Sequence, residues 1–358
     1  MRIAFFAHYA GQYGANRSLL TLVDGLREYG VEPLVLLPAT GPFVGELERA
    51  GIAFEVVPYA PWMVTKRHVW RGPGQALCNA QARPALRQLL TARQIDLVHS
   101  NSGVIGIGAQ VASDLVLPHV WHLREMPREA FGMIYLGGRQ RALDVMQRST
   151  AFITVSHAVK QHVLPAKLQQ RATVIYNGVL TRTEIEELYP IGAGRTSIGS
   201  AEAPSVFAML GSISPNKGQA TALHALAALP PSFDAELRIA GTGGPRYMAR
   251  LQRLADELSL GERVRFCGFL EEPRELYRAA DAVLVCTAYE GMGRVTAEAM
   301  ALGVPVIGLD STGTAELIEH DVTGLLYAGA PQQLAQQMTR LIEEEGLATR
   351  LRHAAWLA

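Results

Sequence analysis

Two glutamates stand eight residues apart in the segment EGMGRVTAE, and a glycine turn follows the first of them. Glu290 comes after an apolar, β-branched run typical of a buried parallel strand, and Glu298 falls about one turn inside the Ala-rich helix that follows Gly293. Glu290 is therefore expected at the carboxyl edge of a parallel sheet, where open α/β sheets bind ligands. Ionised carboxylates repel phosphate but accept hydrogen bonds from sugar hydroxyls. The pair indicates a sugar site, whereas a capping acid and a solvated helical glutamate are the alternative for each residue alone.

A second loop offers a cation for a diphosphate. The segment GSISPNKGQ follows the first predicted strand of the second half of the chain, and Lys217 lies just before its helix. Backbone N–H groups at a helix N-terminus, with a lysine beside them, suit an anionic ligand. We predict that Lys217 binds phosphate; a solvated loop lysine is the alternative.

The first half of the chain supplies further candidates at its strand ends. Gly11 and Gly14 lie between the first strand and its helix, where glycine lets a ligand approach the backbone; a plain tight turn is the alternative. The loop is not a GxGxxG fingerprint, so an NAD-dependent dehydrogenase fits poorly. His122 ends a strand in WHLRE and is expected to point toward the ligand, unless it is a structural histidine. Asn101, in HSNSG, is a candidate for acceptor contact.

The irregular segment PWMVTKRHVWRGPG, residues 61–74, combines aromatic and cationic side chains. Trp62 and Trp70 are interspersed with Arg67 and its basic neighbours. Amphipathic aromatics beside cations fit a loop that binds the acceptor or lies at an interface. An ordinary surface loop over a buried tryptophan is the alternative.

Strand-like runs alternate with amphipathic helices in both halves, which predicts an α/β protein with two Rossmann-like, doubly wound parallel sheets. A Gly-, Ser-, Ala- and Pro-rich segment without apolar periodicity separates the halves. We therefore predict an N-terminal domain over residues 1–187, a linker over 188–204 and a C-terminal domain over 205–358.

Composition limits the classes of function. The 358 residues are 49% hydrophobic and 18% charged, which indicates a globular protein with large cores. No apolar run approaches the roughly 20 residues of a membrane helix, and three distant cysteines favour a reducing cytoplasm. Residues 1–200 carry 20 Lys and Arg against 14 acids, while residues 201–358 carry 13 against 19. The basic half either attracts the acidic half or faces an anionic acceptor or a membrane surface. We predict no nucleic-acid partner.

The stretch from Glu290 to Glu319 resembles the retaining glycosyltransferases of family 4 (glycosyl transferases group 1), whose E-x7-E signature has this spacing. The resemblance covers nearly the whole chain and implies the GT-B architecture, two Rossmann-like domains facing each other across a central cleft. It implies that Glu290 contacts hydroxyls of the donor sugar, that Glu298 holds the nucleotide ribose and that His122 contacts the donor sugar. The catalytic set is then His122, Lys217 and Glu290, and the donor-binding set is Gly14, Gly211, Ser212, Lys217, Gly291, Met292, Gly293, Arg294 and Glu298.

The implied reaction moves a sugar from a nucleotide-diphosphate sugar to an acceptor hydroxyl with retained configuration, in bacterial polysaccharide or glycolipid assembly. Lys217 and helix N-termini would stabilise the leaving diphosphate, and no DxD acid pair stands out, so we expect neither a metal nor another cofactor. The acceptor candidates are Gly11, Asn101, Trp62, Trp70 and Arg67.

Two departures from the family pattern keep alternatives open. Ser212 stands where the family has an arginine, so one of two phosphate cations is missing, and Arg294 is a candidate to supply some of that charge. A non-catalytic nucleotide-sugar-binding partner subunit is therefore one alternative, and a GT-B nucleotide-sugar epimerase is the other. The family also ends with helices that cross back onto the first domain, whereas this sequence stops at LRHAAWLA, so we expect a truncated C-terminus.

Overall fold

The computed structural model describes residues 1–11, 14–188 and 204–358. The chain divides into two compact units, Met1–Gly178 and Val179–Ala358. The division precedes the predicted boundary at residue 187, and the helix Arg182–Leu188 belongs to the second unit, where Arg274 donates to Glu184 over 3.1 Å. The predicted linker, apart from its two end residues, lies outside the described residues.

The first unit is built on a seven-stranded parallel sheet with the order β3-β2-β1-β5-β6-β8-β9, beside an antiparallel pair formed by β4 and β7. Strands β1 and β2 read as continuous apolar runs because helices cover both faces of the sheet. The strands are β1 (Arg2–Phe6), β2 (Glu32–Leu37), β3 (Ala53–Val56), β4 (Met63–Thr65), β5 (Leu97–Ser100), β6 (His119–Leu123), β7 (Met133–Tyr135), β8 (Ala151–Thr154) and β9 (Ala172–Val174). The helices are α1 (Gly14–Arg27), α2 (Pro42–Arg49), α3 (Gly72–Ala92), α4 (Ile107–Leu115), α5 (Pro127–Phe131), α6 (Arg139–Gln147), α7 (His157–Val163) and α8 (Ala166–Gln169), with a 3-10 helix at Lys66–Arg71.

The second unit repeats the architecture with a six-stranded parallel sheet, in the order β12-β11-β10-β13-β14-β15. Its strands are β10 (Ser205–Leu210), β11 (Ala235–Ala240), β12 (Val264–Gly268), β13 (Ala282–Val285), β14 (Val306–Leu309) and β15 (Leu325–Tyr327). Its helices are α9 (Arg182–Leu188), α10 (Gln219–Ala227), α11 (Pro245–Glu257), α12 (Arg274–Ala279), α13 (Arg294–Ala301), α14 (Thr312–Leu317), α15 (Pro331–Glu343) and α16 (Leu347–Leu357), with 3-10 turns at Pro215–Lys217 and Gly261–Arg263. The prediction of two doubly wound parallel sheets is confirmed.

Sequence patterns missed structure in two places. Residues 61–74, predicted to be irregular, contain β4, the 3-10 helix and the start of α3 at Gly72. Apolar periodicity is missing there because the first half of α3 is largely exposed. At the other end, α15 and α16 place Met338 and Leu351 in the core of the second unit.

Each sheet reverses its winding between two neighbouring strands, and ligands bind at such a switch point. In the first unit the switch lies between β1 and β5, and in the second between β10 and β13. Several predicted site residues follow these four strands, among them Gly11, Asn101, Lys217 and Glu290, whereas His122 lies in β6. No helix among residues 1–11, 14–188 and 204–358 is long and apolar enough to cross a membrane.

Candidate active site

Lys217 and Glu290 form an ion pair at the carboxyl edge of the second sheet. Lys217 follows β10 and Glu290 follows β13, the strands on either side of the switch point, and Nζ lies 2.6 Å from Oε2. The side chains remain 31% and 19% exposed, so a ligand can reach both. The structure therefore brings together two residues that the sequence analysis named as candidates, an ammonium and a carboxylate.

The turn after Lys217 passes very close to β13. Gly218 has φ +70°, and a Cβ there would lie 2.5 Å from the carbonyl oxygen of Cys286. Glycine is the residue that allows this approach at this φ. Gly218 thus positions Lys217 against the loop that carries Glu290.

Glu290 is held through its main chain by the loop after β14. Its N–H donates to Thr312 Oγ1 over 3.0 Å, and the Thr312 hydroxyl donates to the Ala288 carbonyl over 3.2 Å. The Gly313 N–H donates to the Glu290 carbonyl over 3.0 Å. Thr312 has φ +47°, a left-handed conformation that is strained for a β-branched residue and that clusters at functional sites.

Glu298 lies inside α13 with both carboxylate oxygens bonded. Tyr277 Oη donates to Oε2 over 3.0 Å, and Arg294 donates to Oε1 over 3.1 Å. A carboxylate offers about four acceptor positions, so Glu298 can still accept from a ribose diol. Arg294, a candidate to supply some of the charge missing at Ser212, forms an ion pair with Glu298 at 3.1 Å.

The remaining donor candidates line the same edge. Gly211 and Ser212 follow β10, and the Ser212 carbonyl accepts from Gln219 Nε2 over 3.1 Å. Gly293 is the N-cap of α13, and Met292 is buried beneath the turn.

In the first unit a buried arginine organises the polar residues at the strand ends. Arg124 donates from Nε to Asn101 Oδ1 over 2.8 Å and from one terminal nitrogen to Asn177 Oδ1 over 2.5 Å. Its other terminal nitrogen lies 3.2 Å from His122 Nδ1. Asn101 also donates to the Ala15 carbonyl over 3.2 Å, across the switch point. Arg124 therefore links two candidates, Asn101 and His122.

Arg124 determines the tautomer of His122. A guanidinium can only donate, so Nδ1 accepts and the neutral ring carries its proton on Nε2. Burial first, then Arg124 and His99, lower the pKa of His122 well below its usual value, so the ring is neutral at physiological pH. Nε2 is buried and has no hydrogen-bond partner among the described residues. His122 thus carries an N–H that a ligand oxygen would satisfy.

The other candidates of the first unit differ in role. Asn16, which the sequence analysis missed, is fully buried and closes the glycine loop by donating to the carbonyls of Tyr9 and Gly11. Gly14 begins α1. Trp62 is buried and donates from Nε1 to the Gly103 carbonyl over 2.9 Å. Trp70 and Arg67 are exposed.

Three more histidines, of which His99 and His119 are buried and His8 is half-buried, make the protein sensitive to acid. Burial lowers the pKa of His8, His99 and His119 to about 3. The charge of Arg124 adds to this effect at His8 and His99, and His119 adds to it at His99. Each histidine gains a proton on unfolding below pH about 6.5. The free energy of unfolding therefore decreases as the pH is lowered, by about 2 kcal/mol per histidine between pH 7 and 5. We expect His99→Gln to remove about one quarter of the loss that these three histidines and His122 contribute together, measured by urea unfolding.

Leu77→Gln, at an exposed position without an ionisable group, provides the control and should retain the wild-type pH dependence. Equal pH dependence of wild type and His99→Gln would contradict the assignment of a neutral, buried His99.

Sequence reasoning named His122 but missed His8, His99, Arg124 and Tyr277. His8, His99 and His122 come at or just after the ends of β1, β5 and β6, which are neighbours in the sheet. The sequence shows a histidine near the end of each of the segments FFAH, LVHS and VWHL. It does not show that the three strands are neighbours in the sheet. Nothing in the local spacing indicated Tyr277 or Arg124 as partners.

Two parallel-sheet Rossmann-like units, each with polar residues at its switch point, match the architecture of the GT-B class of glycosyltransferases. Comparisons with known proteins agree. The family described as "Glycosyltransferase Family 4" matches residues 13–182, and the one described as "Glycosyl transferases group 1" matches residues 193–356. The chain belongs to the group 1 glycosyltransferases of the family 4 type.

Individual relatives are similar over most of the chain. A D-inositol 3-phosphate glycosyltransferase of Frankia alni is 28% identical over 91% of this chain and 88% of its own length. An uncharacterized glycosyltransferase of Methanocaldococcus jannaschii is 27% identical over 72% of this chain and 69% of its own. The crystal structure of Anabaena HepE in complex with UDP-glucose superposes with a TM-score of 0.78 at 27% identity, covering 100% of this chain and 94% of that one.

Proposed function

We propose that this protein transfers a sugar from a nucleotide-diphosphate sugar to an acceptor hydroxyl, with retention at the anomeric carbon and without a metal ion. The observation that carries the proposal is the Lys217–Glu290 pair at the switch between β10 and β13, with Glu298 one turn inside α13. The similar Anabaena protein was solved with UDP-glucose, which makes UDP-glucose the first donor to test.

Each residue then has a distinct task. As the bond from the sugar to the diphosphate breaks, negative charge grows on the leaving phosphate, and Lys217 with the N–H groups at the start of α10 stabilises it. Glu290 accepts hydrogen bonds from sugar hydroxyls, and Glu298 accepts those of the ribose. His122 donates a hydrogen bond from its Nε2–H to an oxygen of the donor sugar. The leaving phosphate takes the proton of the acceptor hydroxyl, which attacks from the same side of the ring.

The setting we propose is bacterial polysaccharide or glycolipid assembly in the cytoplasm. All three cysteines are free, which suits a reducing compartment. The excess of basic residues in the first half suits an anionic acceptor.

Calorimetric titration with UDP-, GDP- and ADP-glucose tests the donor site. We expect one nucleotide sugar to bind, and Glu298→Gln to weaken it about 10- to 100-fold, because charge-assisted hydrogen bonds to the ribose are lost. Glu257→Gln, an exposed glutamate of α11, is the matched control and should bind like wild type.

The pattern of outcomes separates the alternatives. Absence of binding by all three would contradict the donor-site assignment. Binding without transfer to any acceptor would favour the non-catalytic partner subunit. The serine at position 212, where the family has an arginine, is the feature that supports this alternative. Conversion of the donor sugar without an acceptor would favour the epimerase.

A further inference from the structure

One segment of the first unit has a strongly one-sided charge. Residues 56–95 contain six Lys and Arg and no Asp or Glu. Arg83 and Arg93 pair with acids from elsewhere in the unit. Lys66, Arg67 and Arg71, in contrast, are exposed and form no ion pair with any residue that the structure describes. The 3-10 helix that carries them is therefore a cationic surface.

Large apolar side chains are exposed in and beside the same helix. Val69 is 48% exposed, Trp70 69% and Leu77, one turn into α3, 59%. The guanidinium of Arg71 lies 5.2 Å from the centre of the Trp70 ring. Exposed tryptophan beside unpaired cations is a combination found where a protein meets the headgroup layer of a membrane.

A second segment contributes to this surface through strand pairing. Thr65, the last residue of β4, is paired with Met133, the first residue of β7. Phe131, two residues before Met133, is 54% exposed at the end of α5. The 3-10 helix leaves β4 at the same end of this two-stranded sheet, so Phe131 extends the apolar surface of residues 66–77.

The surface is connected firmly to the candidate active site. Trp62, directly before β4, donates its indole N–H to the Gly103 carbonyl and stacks on Trp121 at 5.3 Å between ring centres. Trp121 is in β6, next to His122. A partner bound on residues 66–77 would therefore lie on the unit that carries Asn101 and His122.

We propose that residues 66–77, together with Phe131, dock on the surface of an anionic lipid bilayer. Unpaired cations meet the negative headgroups, and Val69, Trp70, Leu77 and Phe131 enter the boundary between headgroups and acyl chains. The charge is complementary to such a surface along the whole segment, since it contains no acid to repel it. This docking is independent of the donor and would hold the first unit next to an acceptor embedded in the membrane.

Sedimentation with lipid vesicles tests the proposal on the full-length protein. We expect binding to phosphatidylglycerol-containing vesicles and little binding to pure phosphatidylcholine. Arg67→Gln/Arg71→Gln should weaken it up to about 30-fold, at roughly fivefold for each charge. Trp70→Ser should weaken it roughly tenfold through lost apolar burial. The controls are Arg246→Gln/Arg250→Gln, which removes two exposed arginines from α11, and Tyr29→Ser, which removes an aromatic residue that is 85% exposed.

Fluorescence gives a second readout, because Trp62 and Trp121 are buried, Trp356 is half-buried and Trp70 is exposed. Binding should shift the Trp70 emission to the blue, and brominated lipids should quench it. Vesicle binding that the control pair weakens as much as the Arg67/Arg71 pair would overturn the proposal, as would unchanged Trp70 emission. Binding to a soluble polyanion in place of vesicles, insensitive to Trp70→Ser, would also overturn it and identify an electrostatic site for a charged polymer.

Discussion

Replacing Lys217 with methionine should lower kcat for sugar transfer by about 10²- to 10³-fold. Charge on the leaving diphosphate grows as the glycosidic bond breaks, so a cation at that position stabilises the transition state more than the bound donor. Lys217 is the cation that the second unit places at its switch point, 2.6 Å from Glu290 and still 31% exposed. Single-turnover kinetics at saturating donor would measure this loss.

The ion pair raises the question of whether Lys217 acts on phosphate or only positions Glu290. A double-mutant cycle separates the two roles. If Lys217 only positions Glu290, Lys217→Met/Glu290→Gln should be no slower than Glu290→Gln. We expect the double variant to be much slower, because the lysine also contacts phosphate. Lys167→Met, in the short helix α8 of the first unit, is the control, and a Lys217→Met rate within a fewfold of wild type would contradict the proposed role.

Replacing Gly241 with alanine should destabilise the protein by about 3 to 5 kcal/mol. Gly241 follows β11 with φ +142°, a conformation essentially restricted to glycine, and a Cβ there would lie 1.7 Å from the carbonyl oxygen of Gly211. That contact is with backbone, so no side chain can rotate away. The Gly211 N–H bonds to the Ala240 carbonyl, and the Gly241 N–H bonds to the Gly268 carbonyl. The ends of β10, β11 and β12 would therefore have to separate.

Calorimetry would show the effect as a fall of about 10 °C in the midpoint of the affected transition. Gly244→Ala is the matched control three residues away, since its φ is −64° and nothing lies within 4 Å of the added methyl group. A Gly241→Ala midpoint close to that of Gly244→Ala would show that the strand ends can move apart easily. Donor binding should weaken along with stability, because Gly211 and Ser212 are part of the displaced loop.

How far the sequence predicts the site depends on how local the contacts are. Glu290, Glu298 and Lys217 were predicted because each lies in a strand-to-helix segment whose position at the sheet edge follows from alternation of strands and helices. The ion pair between Arg294 and Glu298 was not predicted. Glu298 lies four residues after Arg294 on α13, so it competes with the loop after β10 for the guanidinium. The fold class was predictable from the same alternation and is confirmed.

The Arg124 network was beyond sequence reasoning because it depends on strand order. Asn101, His122 and Asn177 come from three separate segments, at the ends of β5, β6 and β9, and the sheet order β5-β6-β8-β9 brings them to one guanidinium. The early start of α3 was missed for a different reason. The first half of α3 is largely exposed, so it carries no apolar periodicity.

The loop after β14 has a consequence for altering donor preference by directed evolution. Thr312 and Gly313 fix both backbone hydrogen-bonding groups of Glu290, although neither is close to it in sequence. Randomising residues 311–313 would therefore displace the carboxylate and lose activity with every sugar at once. Libraries that leave these three codons intact should avoid that loss, because the position of the Glu290 main chain is retained.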